Sequence, residues 1–155
     1  MNKTVIVILI LTVIVVILAV VAFYAKPFFV ASEKKILTVG NQAFEVDIAD
    51  NALTRAQGLS GKPSLGEREG LFFLFSSVGN YGFWMKGMNF PIDIVWISGD
   101  KVIGFSENLQ PEPQKNLFNL SIYYPPGEAD KVLEINAGAV KKYNLQTGDT
   151  VSLAE

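Results

Sequence analysis

The chain has 155 residues, half of them hydrophobic, with 13 basic and 15 acidic side chains and neither histidine nor cysteine. Disulfides, thiolate nucleophiles, cysteine or imidazole metal sites and a Ser-His-Asp relay are therefore excluded, and any catalysis has to come from carboxylates, Lys, Arg, Tyr or hydroxyls. From Pro27 onward 11 basic residues stand against 15 acidic ones, and the resulting charge of −4 argues against a nucleic-acid partner; no metal or cofactor is expected.

The mean hydropathy of +0.31 is high because apolar residues crowd the first 25 positions. Thr4 to Tyr24 contains no charge and is built almost wholly of Val, Ile, Leu and Ala. At about 1.5 Å per residue such a run makes a helix of about 30 Å, enough to cross a bilayer, and it exceeds the ~7–15 apolar residues of a cleavable signal. The predicted organisation is an N-tail over 1–3, a transmembrane signal anchor over 4–24, a stalk over 25–35 and a β-rich domain over 36–155. The membrane bilayer is thus the expected partner of residues 4–24. A bare positive-inside count, with Lys3 before the helix and Lys26, Lys34 and Lys35 after it, leaves the domain in the cytoplasm. A short basic tail before a long apolar run is nevertheless the layout of an uncleaved export signal, and an extracytoplasmic domain is expected.

Ile36 to Val39 and Gln42 to Ala49 read as a hairpin, since Gly40-Asn41 accepts the positive φ angles of a two-residue turn. Asp50 or Asn51 is placed to cap a short helix running to about Leu59, with Gly58 or Gly61 at its end. Gly70 to Phe75 is apolar on both faces, as a strand buried on both sides would be. Strands are predicted at Tyr81 to Lys86 and Ile92 to Ser98, and Gly99-Asp100 turns the chain into Lys101 to Ser106. Glu107 to Gly127 carries Pro111, Pro113, Pro125 and Pro126 and reads as ordered loop, with an edge strand within Leu117 to Tyr124. Lys131 to Ile135 is a further strand, followed by a short helix from Ala137 to Tyr143 that ends at Asn144, and Gly148-Asp149 leads into a last strand, Thr150 to Leu153. The pattern predicts a mainly β (α+β) chain: a small β-barrel-like domain with two short helices, preceded by one transmembrane helix.

Several segments, in order, carry a family resemblance: Arg55 to Leu59 (RAQGL), Gly70 to Phe75 (GLFFLF), Phe83 to Lys86 (FWMK), Pro91 to Ile94 (PIDI), and Val132 to Gly138 (VLEINAG) leading to Gly148-Asp149. Over roughly Val39 to Leu153 the chain resembles the prokaryotic domain-of-unknown-function family number 192. Where the family has Met after Gly-Leu this chain has Ser60, and where it has Asn-Thr after Trp-Met-Lys it has Gly87-Met88. The resemblance implies an often exported domain and no particular activity.

The candidate ligand-binding residues are Arg55, Trp84, Lys86, Asp93 and Glu134. Strand alternation puts Asp93 on one face with Val95 and Ile97, beside an apolar layer where a carboxylate needs a cation or strong hydrogen bonds. Arg55 and Lys86 are the available cations, and loop amides after Pro91 are the structural alternative. Glu134 shares a face with Val132 and Asn136, as a second inward carboxylate or a solvated strand residue. Trp84 alternates with Phe83, so one of the two points away from the core; an outward Trp beside Lys86 suits stacking on a flat ligand. The expected function is a ligand- or partner-binding module at the cell envelope, acting on a small polar ligand or an envelope protein. The alternatives are an envelope hydrolase with Asp93 and Glu134 about 5–10 Å apart, and a structural accessory to a membrane protein.

Overall fold

The alternation of apolar and polar side chains along β1 (Lys35–Val39) and β2 (Gln42–Ala49) buries one face of an antiparallel hairpin whose last pair is Val39 opposite Gln42. Gly40 at the turn has φ +57°, and a Cβ there would lie 2.8 Å from the Asp149 carboxylate. The position therefore demands glycine twice over, for its backbone angle and for space. The architecture is that of a computed structural model in which residues 2, 5, 10–17, 34–113 and 119–154 are described. By contacts the chain divides into two units, Met1–Ala31 and Ser32–Glu155.

In the first unit residues 10–17 are helical (α1). Among the described residues no helix is long and apolar enough to cross a membrane, which corrects the expectation of a transmembrane helix over 4–24. The rest of that segment and the stalk up to residue 33 lie outside the described residues.

In the second unit α2 (Ala52–Gln57) begins at Asn51, whose side chain accepts from the Leu53 and Thr54 amides, while the Asn51 amide donates to the Thr54 hydroxyl. This reciprocal cap satisfies amides that the first helical turn leaves without partners. Gly58, at φ +54°, ends the helix. Helix and loop form the crossover that a parallel pair requires, joining β2 to β3 (Glu69–Gly79) with Glu45 opposite Glu69 and Ala49 opposite Phe73.

β5 (Ile92–Ser98) and β6 (Lys101–Leu109) form the second hairpin across Gly99-Asp100. β8 (Ala129–Asn136) lies between β3 and β5, antiparallel to both; α3 (Ala139–Lys142) follows it, and Asn144 takes φ +51° just beyond. β9 (Val151–Leu153) completes the sheet against β1, giving the order β6-β5-β8-β3-β2-β1-β9. The two edges meet at one end: Lys101 bridges Thr150, the Val102 amide donates to the Asp149 carbonyl at 3.0 Å, and the Val151 amide to the Asp100 carbonyl at 2.8 Å. The sheet is thus mainly β and mixed, curled into a half-barrel.

The curled sheet buries apolar side chains on both faces. One layer gathers Leu37, Phe44, Phe72, Val95 and Leu133 with Ala139 and Val140 of α3; the other gathers Phe73, Phe83, Ile94, Trp96 and Val132 with Leu59 and Leu65 of the crossover loop. This explains the GLFFLF run, in which Phe72 serves the first layer and Leu71 and Phe73 the second. Two predicted strands are shorter than expected. Only Phe83–Trp84 (β4) and Ile122–Tyr123 (β7) are extended, paired to each other as a separate ribbon, and residues 114–118 lie outside the described residues.

Candidate functional site

The register of β8 with its neighbours decides where the acidic residues point. Glu134 stands opposite Leu71 of β3 and Ile94 of β5, whereas Asp93 stands opposite Ile135. Residues directly opposite share a face and successive residues alternate, so Asp93 and Glu134 project from opposite sides of the sheet. The carboxylate pair of the hydrolase alternative is not formed.

Asp93 is fully buried on the α3 side. One carboxylate oxygen accepts from the Asn108 amide at 2.8 Å and the other from the Val140 amide at 3.0 Å. The first donor belongs to the irregular stretch of β6, where the register shifts between Ile92 and Ile94 and Asn108 takes φ +54°. The second belongs to the first turn of α3, which has no side-chain cap. Asp93 therefore supplies acceptors to two amides that the secondary structure leaves without one. Neither Arg55 nor Lys86 meets it: of the two alternatives, loop and helix amides hold this carboxylate.

Glu134 lies on the other side, where it lines a cavity of about 250 Å³ together with Arg55, Trp84 and Lys86. The structure thus brings four of the five candidates together and leaves Asp93 apart. Each reaches the cavity from a different element: Arg55 from α2, Trp84 from β4, Lys86 from the loop after β4, and Glu134 from the central strand β8. Trp84 is half exposed while its neighbour Phe83 is buried, as their alternation requires.

Aromatic rings form the wall between these polar groups. Phe75 and Tyr81 stack with centroids 3.7 Å apart, and Phe83 meets Phe73 and Trp96 edge to face at 4.9 and 5.4 Å. The Tyr81 hydroxyl donates to the Ser77 carbonyl at 2.9 Å, which anchors the stacked pair to β3. Arg55 is held as well, its guanidinium donating to the Leu74 carbonyl at 2.8 Å and lying 5.3 Å from the centre of the Phe75 ring. Phe75 and Tyr81 are part of the site although the sequence pointed only to core packing; their stacking across the connection from β3 to β4 is a tertiary contact.

Glu134 is 4% exposed, and its Oε2 has no hydrogen-bond partner. Burial alone pushes its carboxyl up to about 8, with no contribution from Arg55 or Lys86. At neutral pH the group is mostly protonated and presents a hydrogen-bond donor in place of a charge. Lys62, on the crossover loop, is engaged instead by Asp47 at 3.7 Å and Glu69 at 4.0 Å. Among the described residues no cluster of acidic side chains is arranged to hold a metal ion.

The model of the DUF192 family, described as an uncharacterized ACR, matches residues 35–153. No curated protein matches the chain. Among solved structures it is similar to a protein of Sinorhizobium meliloti 1021 described as a proposed transcription regulator, at 24% identity and a TM-score of 0.70 over 77% of this chain and 93% of that one. A protein of unknown function from Novosphingobium aromaticivorans DSM 12444 is similar at 26% identity and a TM-score of 0.71, over 80% of this chain and 89% of that one.

Proposed function

The chain belongs to the DUF192 family, and from that premise we propose that its folded domain is a binding module for a small ligand, held in the cavity between Trp84 and Glu134. One observation carries the reading: a carboxyl group sits nine-tenths buried, without a partner for Oε2, in the wall of an aromatic cavity that opens to solvent beside Trp84. Buried polar groups in folded proteins are almost always hydrogen-bonded, so an orphan in a cavity wall is a place where a ligand can complete the bonding. A concave, mostly apolar lining with a few convergent polar groups is the usual form of a small-molecule site.

The opposite orientation of Asp93 and Glu134 argues against the hydrolase, which needs both carboxyls in one cleft. A structural accessory calls for an apolar patch without a cavity; Trp84, Ile122 and Tyr124 are exposed, yet Trp84 also lines the cavity.

The two tryptophans make the test simple. Trp96 is fully buried and its indole N–H donates to the Ser106 hydroxyl at 3.0 Å, so its NMR signal is an internal reference. A library of small planar fragments titrated into the ¹⁵N-labelled full chain is expected to move the Trp84 indole signal and leave that of Trp96 in place. Trp84→Ala is expected to weaken the best fragment about fivefold or more, for lost stacking of about 1 kcal/mol. A library that leaves the Trp84 signal unmoved sinks the reading.

A further inference from the structure

The cavity wall is unequally charged. Arg55 and Lys86 are its basic residues, Glu134 is its acidic one, and the remaining polar lining, such as Gln57, Ser60 and Tyr81, is uncharged. Because Glu134 is mostly protonated at neutral pH, the wall carries two positive charges with no compensating negative one.

Both cations are suited to a ligand. Arg55 spends one donor on the Leu74 carbonyl and rests over Phe75, so its guanidinium is already oriented and its other donors remain for a second acceptor. Among the described residues Lys86 has no ion-pair partner, and it is exposed two positions after Trp84, on the same cavity wall. Preorganisation of this kind lowers the ordering cost of binding.

Resting on the ligand-binding reading above, we infer that the ligand is a small organic anion with a flat apolar body, its carboxylate meeting Arg55 and Lys86 and its ring stacking on Trp84 and the Phe75–Tyr81 pair. Charge-assisted hydrogen bonds from a guanidinium or ammonium to a carboxylate are about twice as strong as neutral ones. A cationic ligand would instead sit beside two positive charges, and a neutral one would gain stacking without using them. The cavity of about 250 Å³ lies a little below the ~300–1,000 Å³ of pockets for drug-sized molecules, which fits a single ring with a short side chain. Glu134 contributes a hydrogen-bond donor to an acceptor on the body of the ligand.

Three probes of nearly equal size separate the possibilities: phenylacetate, 2-phenylethanol and 2-phenylethylammonium, each titrated at neutral pH into the full chain and followed at the Trp84 indole signal. Phenylacetate is expected to bind at least about tenfold more tightly than the other two. Lys86→Met is expected to narrow that advantage to about twofold, and an unchanged ratio overturns the role given to Lys86. Alcohol or ammonium binding as tightly as phenylacetate overturns the anionic ligand and leaves the pocket reading standing. If none of the three moves the Trp84 signal, the pocket reading fails and this inference with it.

Discussion

Asp93 and Glu134 face each other's neighbours across one strand pair, yet they meet opposite environments. Asp93 gains two amide donors, and Glu134 gains none for Oε2. The consequence for Glu134 is a pH-dependent stability whose sign follows from proton linkage. With the unfolded carboxyl near 4.5 and the folded one near 8, the folded state holds the extra proton between those values. Its contribution is fully present below about pH 4.5 and is lost as pH rises through about 8. At about 1.4 kcal/mol per pH unit the loss is on the order of 3–5 kcal/mol. Glu134→Gln keeps a donor and removes the titration. In urea unfolding the variant is expected to gain on the wild type steadily between about pH 5 and pH 8 and to level off above; a difference that stays constant with pH contradicts the assignment. At this scale the in-strand neighbours of each carboxylate were legible in the sequence, because alternation is local, while Glu134 stayed open between an inward and a solvated position. The hydrogen-bond partners were not legible, because they come from residues 15 and 47 positions away in the case of Asp93.

At the scale of elements, the cavity depends on two loops held together. The Gly61 amide donates to the Gly87 carbonyl at 2.8 Å, and the Asn89 side chain donates to the Lys62 carbonyl at 3.0 Å, tying the segment after α2 to the segment after β4. Gly87 has φ +66°, and a Cβ there would come within 2.1 Å of the Ser60 hydroxyl oxygen. The two departures from the family pattern, at Ser60 and at Gly87-Met88, therefore adjoin each other in space, and Met88 is buried behind them. Gly87→Ala is expected to destabilise the domain by roughly 2 kcal/mol, of which about 1–2 reflects the left-handed backbone angle. Adding Ser60→Ala removes the close oxygen and should recover part of the loss in a thermal melt; no recovery would show that contact between the loops is not the cause. The hairpins at Gly40-Asn41 and Gly99-Asp100 were readable because turn chemistry is contained in a few residues. The short ribbon of β4 and β7 was not, because its pairing joins residues some 40 positions apart in the chain.

The whole sheet is completed by its last strand. β9 covers β1 with Leu37 opposite Leu153 and Val39 opposite Val151, and the chain entering it meets the start of β6. Truncation after Gly148 removes the buried Val151, at about 1.5–3 kcal/mol, and the partly buried Leu153 from beside the first core layer, and leaves the β1 edge unpaired. The truncated chain is expected to lose its cooperative thermal transition or to melt well below the full chain; an unchanged melt would show that edge closure contributes nothing.

The amino-acid order by itself determined the turns, a helix cap at Asp50 or Asn51, the two-faced burial of Gly70 to Phe75, and a chemistry without imidazole or thiol. It also carried the family, through motifs that follow one another from Arg55 to Asp149. A long apolar run at the start suggested a membrane helix because hydropathy was the signal available; among the described residues no helix is long and apolar enough to cross a membrane. Which acidic residue lines the cavity was decided only by tertiary structure. Strand order places β8 between β3 and β5, the crossover loop and the ribbon cover one face, and α3 covers the other. Burial and bonding are properties of those long-range neighbours, whereas turn and cap propensities act within a few residues of the chain.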